Sequence, residues 1–189
     1  MTLPGKLPGN PFIMSMRKNP VYLLIRFAKI ATLLALIGYL FYVYFYLPQD
    51  VAFHFNEFGH ADNYLPKGNF FLITGVFAII FNVVVSLLGR MIVLLPGRML
   101  PVPNRTYWLA SGQNRKAMNE MLRNWLNGLM ILVNVFLIVS LAMLLKLNIL
   151  ENVDIADYYW VMVLAMAVFI GWLLFLPVRL LVKKSVVAS

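Results

Sequence analysis

The side chains best able to do chemistry are crowded into one short stretch, residues 47–71, reading LPQDVAFHFNEFGHADNYLPKGNFF. His54, Asn56, Glu57, His60, Asp62, Asn63 and Tyr64 fall within residues 54–64, and both histidines of the chain are among them. Imidazole and carboxylate donors at His54, His60 and Asp62 would suit Zn²⁺ or another borderline divalent ion. Their spacing fits no ligand motif, however, and a hydrogen-bond network that pins the loop is the competing use. Asn56 and Asp62 are turn formers whose side chains accept from nearby backbone N–H groups. Gly59, after Glu57-Phe58, can take the positive φ a tight turn requires. Val51, Phe53 and Phe55 alternate with Ala52, His54 and Asn56, which predicts a short extended segment lying over helix ends. A histidine such as His54 is also suited to sensing external pH.

Elsewhere, polar groups are sparse within long apolar runs. Asn82 and Ser86 are four residues apart, and Asn127 and Asn134 seven apart, so each pair shares a helix face and is expected to make helix–helix hydrogen bonds. Asn104, Arg105, Tyr107 and Trp108 form a polar and aromatic cluster suited to a membrane-surface anchor, or to binding a headgroup or partner. The sequence contains no HExxH, no phosphate-binding glycine loop, no loop-borne serine–histidine–acid arrangement and no paired intramembrane aspartates. Without cysteine, disulfides, thiolate metal sites, Fe–S clusters and cysteine nucleophiles are excluded. No catalytic residue, resident metal or cofactor is expected.

The elements that must position these groups follow from composition. Of the 189 residues, 62% are hydrophobic and 12% charged, and mean hydropathy is +0.81, outside the range of soluble domains. The apolar residues form four blocks, each near the roughly 20 residues needed to cross a hydrocarbon core. The spans are expected at about 21–47, 70–95, 125–146 and 158–182, within one transmembrane domain covering 21–185. The fold class predicted is an all-α four-helix membrane bundle, with a short structured outer loop at 48–69 and an inner loop at 97–124. Within that inner loop a helix is expected from Ser111. Met118, Met121, Leu122 and Trp125 would put an apolar stripe on the membrane surface or extend the third span inward. The first span follows a proline- and glycine-containing segment, 1–20, with no small-residue cleavage site, and reads as uncleaved.

Charge sets the orientation. Every basic residue except Lys67 and Lys146 falls in the N-terminal segment, the middle loop or the C-terminal end. Of the seven acidic residues, Glu120 alone is on that side. The positive-inside rule therefore puts both termini in the cytoplasm and the His54 loop outside. The net charge of +9 is a topological signal here, and nucleic acid is not an expected partner.

Leu47-Pro48, His54-Phe55-Asn56, Gly59, Asp62, Tyr64 and Lys67 together resemble the signature of a bacterial membrane family, domain of unknown function 1648. Pro103 and Asn104, followed by Tyr107, Trp108, Leu109 and Ala110, are similar to an element many members carry after the second span. The best-known relatives are immunity proteins of the sporulation-delay toxin system, which protect against an extracellular peptide toxin and signal its presence. Those relatives carry a further domain with a glycine-isoleucine-arginine-threonine element, and this sequence has none. The resemblance implies a bacterial membrane protein, and the outer loop's density of hydrogen-bonding groups makes that loop the expected site of ligand or partner recognition, with His54, Asn56, Gly59, His60, Asp62, Tyr64 and Lys67. The expected function is therefore a non-catalytic binding or accessory role, with the bilayer and a protein partner or second copy as partners. The alternatives are a structural subunit of a larger membrane complex and a metal-dependent membrane enzyme or transporter.

Overall fold

The computed structural model describes residues 20–56, 58–100, 102–150 and 155–181. The expected N-terminal segment before Pro20, the turn residue Glu57 and the chain beyond Leu181 lie outside the described residues. In chain order the elements are helix α1 (Pro20–Tyr46), strands β1 (Asp50–Phe55) and β2 (Ala61–Pro66), helix α2 (Lys67–Leu94) and a 3-10 turn (Gly97–Met99). Then come a short helix α3 (Arg105–Leu109), helix α4 (Gly112–Ile149), a second 3-10 turn (Ile155–Tyr158) and helix α5 (Tyr159–Leu181). Helices α1, α2, α4 and α5 are each long and apolar enough to cross a membrane.

Proline fits the first turn of a helix because its missing N–H would be unsatisfied there anyway, and α1 begins on Pro20. Helix α2 starts at Lys67, a turn earlier than its apolar run suggests, because Lys67 N donates to Gln49 O (2.8 Å) and closes the preceding hairpin. The helix expected from Ser111 and the third span expected from Trp125 are one element: α4 is an unbroken helix of 38 residues, about 57 Å long. Its charge-free stretch 124–145 covers about 33 Å, close to the roughly 30 Å hydrocarbon core, so the turns before it extend past the apolar layer.

The reason that extension is helical lies in its cap and its packing. Ser111 is the N-cap, accepting from Asn114 N at 3.1 Å. The stripe from Met118 to Trp125 meets neither solvent nor a lipid surface along its buried positions. Met118 and Leu122 pack with Leu100, Trp108 and Leu180 in a separate core that the folded-back segment from Leu95 to Leu109 covers. Arg115 Nη2 reaches Leu95 O at 2.7 Å, satisfying a carbonyl just past the end of α2.

Helix α4 is the axis of the molecule, touching α1, α2, α3, α5 and β1. The main apolar core joins Leu36, Leu40 and Val43 of α1 with Ala78 of α2, Leu141 of α4 and Val51 of the hairpin. Helix α5 packs on α4 through a close approach. Trp172 lies over Gly128, where a Cβ would come within 2.2 Å of the indole. The two tryptophans there exchange backbone contacts: Trp125 Nε1 donates to Trp172 O (2.8 Å) and Trp172 Nε1 to Trp125 O (3.3 Å).

The all-α class is qualified by β1 and β2, an antiparallel pair whose first strand is the expected extended segment. The predicted alternation along β1 is also broken. Val51 and Ala52 are both buried, whereas Phe53 and His54 are both exposed. The register explains this: Ala52 faces Tyr64, His54 faces Asn63 and Phe55 faces Ala61, with irregularities on either side of His54. Such bulges shift side chains off the two-residue period.

Candidate functional site

The hairpin is built by its own short polar side chains. Asn56 Oδ1 accepts from Phe58 N and His60 N, both at 3.0 Å, and Asn56 N donates to His60 O (2.9 Å). Gly59 completes the turn with φ 80°, a conformation an L side chain adopts only under strain. Across the strands His54 Nδ1 lies 2.6 Å from Asp62 Oδ1, with both side chains largely exposed. Lys67 turns back toward the bundle, its Nζ 5.1 Å from the centre of the Tyr44 ring. Asn56, Gly59 and the His54–Asp62 pair therefore give the hairpin its shape. His60 and Tyr64 project from its exposed surface. No group of three or more metal-binding side chains is formed among the described residues, so His54, His60 and Asp62 do not converge on one point.

What holds the hairpin to the bundle is a residue that sequence reasoning missed. Asn148, near the end of α4, reads the backbone of Ala52 as a neighbouring strand would. Its Oδ1 accepts from Ala52 N (2.8 Å) and its Nδ2 donates to Ala52 O (2.9 Å). The same Nδ2 also reaches Leu144 O at 2.9 Å. An edge strand's open donor and acceptor are thereby closed. The available signal was an amide two residues past Lys146, in a stretch that otherwise reads as the apolar end of a span.

Anchored in this way, β1 overhangs a groove between α4 and α5 with a volume of about 470 Å³. Met143, Leu144 and Leu147 of α4 and Met162 of α5 supply an apolar floor, while His54 and Asn56 of the hairpin line its polar side. The arrangement can accept an amphipathic group, with its apolar part between the helices and its polar part against the hairpin.

The other predicted positions have different surroundings. Asn82 and Asn134 pair in the bundle interior: Asn82 Nδ2 donates to Asn134 Oδ1 (2.8 Å) and Asn134 Nδ2 to Asn82 Oδ1 (3.3 Å). Asn82 also donates to Ala78 O (2.9 Å), and Thr32 of α1 lies 3.5 Å from Asn134 Nδ2, so three helices meet at one polar node. Ser86 makes a weak contact to Met130 Sδ (3.5 Å), and Asn127 lines a separate cavity. At the basic end of the bundle, Trp108 is buried and its Nε1 donates to Leu180 O (2.9 Å), while Asn104 Nδ2 donates to Leu181 O (2.7 Å). These two residues clamp the end of α5 and are not free to bind a headgroup with the same atoms. Arg105 is exposed, and Tyr107 is half-buried in an edge-on contact with Trp108.

Four long apolar helices, three of them joined at a polar node, with a hairpin at one end, define a multi-pass helical membrane protein. Residues 31–78 match the family described as Domain of unknown function (DUF1648), so the chain carries that domain from the middle of α1, through the hairpin, into α2. The resemblance read from the hairpin residues is to this same family. No curated protein and no solved structure matches the chain.

Proposed function

We propose that the chain is a non-catalytic membrane protein that recognises an amphipathic ligand or partner segment through the hairpin and the groove beneath it. In this reading it sits in a bacterial cytoplasmic membrane with the hairpin outside and both termini in the cytoplasm. The orientation rests on the distribution of Lys and Arg, which favours the end opposite the hairpin. The recognition role rests on one observation. The hairpin is tied to α4 by the paired Asn148–Ala52 hydrogen bonds while its groove-facing side, with His54 and Asn56, stays open to a mostly apolar cleft. A preformed cleft with few polar groups is the usual form of a small-ligand or peptide site.

The test fills the cleft without touching the hairpin. In a deletion strain, the wild-type chain restores the lost phenotype, whereas Met143→Trp and Leu147→Trp, inserted at wild-type levels, do not. Full complementation by both variants would overturn the proposal.

A further inference from the structure

A second cavity, of about 310 Å³, lies at the opposite end of the bundle between α1, α2 and α4. Arg26 and Lys29 of α1, Arg90 of α2 and Arg123 of α4 line it, with Ser86 and Asn127 as neutral donors deeper in. No acidic residue is among the described residues of its wall. We infer that this cavity binds a phosphate group, that of an anionic phospholipid headgroup or of a free phosphate.

Three features carry the inference. The first is convergence: the cations come from three helices and line one space, although like charges brought together repel and nothing in helix packing requires them to meet. Cations that merely snorkel point away from a bundle toward the headgroups. Arg123 is instead half-buried on the central helix, its stem near Gly89 of α2, where a Cβ would come within 3.8 Å of Arg123 Cγ. The second is depth. Lys29, Arg90 and Arg123 border the charge-free parts of their helices, which begin at Ile30 in α1, end at Gly89 in α2 and begin at Asn124 in α4, and Arg26 lies three residues before Lys29. The cavity therefore sits where hydrocarbon gives way to headgroups, the level of a lipid phosphate, and basic pockets between helices are a recognised way of holding anionic headgroups. The third is closure. Inward of Ser86 and Asn127, Asn82 and Asn134 satisfy each other, and the buried core of Leu36, Leu40 and Leu141 lies beyond them. Guanidinium groups match phosphate oxygens through paired N–H donors.

The full chain, delipidated in detergent, is titrated with phosphatidylglycerol or phosphatidylcholine and observed by native mass spectrometry, with melting followed in parallel in inorganic phosphate. The expected result is retention of one phosphatidylglycerol per chain at least tenfold more tightly than phosphatidylcholine. Arg90→Gln with Arg123→Gln should weaken this tenfold or more, and Arg179→Gln on α5, which lines a different cavity, should not. Two further variants separate binding from folding. Gly89→Leu keeps every charge but fills the space and should also lose the lipid, whereas Arg90→Lys with Arg123→Lys should retain most of it. If inorganic phosphate raises the melting temperature and displaces the lipid, the ligand is a soluble phosphate. If it does neither while phosphatidylglycerol binds, the ligand is the lipid headgroup. Equal retention of both lipids with no effect of phosphate, or undiminished binding in both Arg90→Gln/Arg123→Gln and Gly89→Leu, would overturn the inference.

Discussion

Replacing Asn148 with alanine isolates the link between hairpin and bundle. The amide closes both backbone polar groups of Ala52, a residue 6% exposed, so its loss strands a donor and an acceptor at a site largely closed to water. An unsatisfied buried polar group costs about 1–3 kcal/mol, and at about 1.5 kcal/mol each the two contribute roughly 3 kcal/mol to holding the hairpin down. The third bond, to Leu144 O, adds little to this estimate, because that carbonyl belongs to the helix ladder of α4. The effect is local, since the hairpin contributes only Val51 to the main core. Hydrogen–deuterium exchange in nanodiscs reads it directly. With about 1.4 kcal/mol per tenfold, Asn148→Ala should speed exchange in β1 by roughly a hundredfold. Amides in the middle of α2 and α4 should be unchanged. Unchanged protection at Ala52 in Asn148→Ala, or an equal loss of protection throughout α4, would refute the reasoning.

Further substitutions test the packing and turn geometry that position the two ends of the bundle. Gly128→Ala places a methyl where the Trp172 ring lies, and overpacking of this kind costs about 1–3 kcal/mol. Its melting temperature should fall by several degrees, whereas Gly171→Ala, with nothing within 4 Å of the new methyl, should leave melting unchanged. For the buried amide pair, a double-mutant cycle with Asn82→Leu and Asn134→Leu measured by steric trapping should return a coupling of about 0.6–2 kcal/mol. Gly59→Ala forces an L side chain into φ 80° at a cost of about 1–2 kcal/mol, so turn amides should exchange about tenfold faster while the melting temperature hardly changes.

The four spans were legible because length and apolarity suffice to identify a helix that crosses hydrocarbon. The hairpin was only partly legible. Asn56 and Gly59 announce a turn by residue type alone, and Val51 to Phe55 announce an extended segment. The bulges around His54 do not follow from alternation, and they decide that Phe53 is exposed while Ala52 is buried. The start of α4 was legible at Ser111, but its continuity with the third span was left open, because Arg115, Lys116, Glu120 and Arg123 mark where a hydrocarbon span must stop and say nothing about where a helix must stop. Trp108 reads as an interfacial anchor from its type and depth, yet its indole is buried against the end of α5. Contacts of that kind join residues far apart in the chain and leave no local pattern. The same holds for the Asn148–Ala52 pair and for the meeting of Arg26, Lys29, Arg90 and Arg123 around one cavity.

Recognition through the hairpin is tested most directly by a photo-crosslinking residue at Phe53, which lines the groove and is exposed, with cells irradiated intact. Leu174, on the exposed apolar surface of α5, serves as the lipid-facing control. The account predicts a discrete adduct from position 53 that Met143→Trp abolishes, and none from position 174. No adduct at position 53, or the same adduct from both positions, would contradict it.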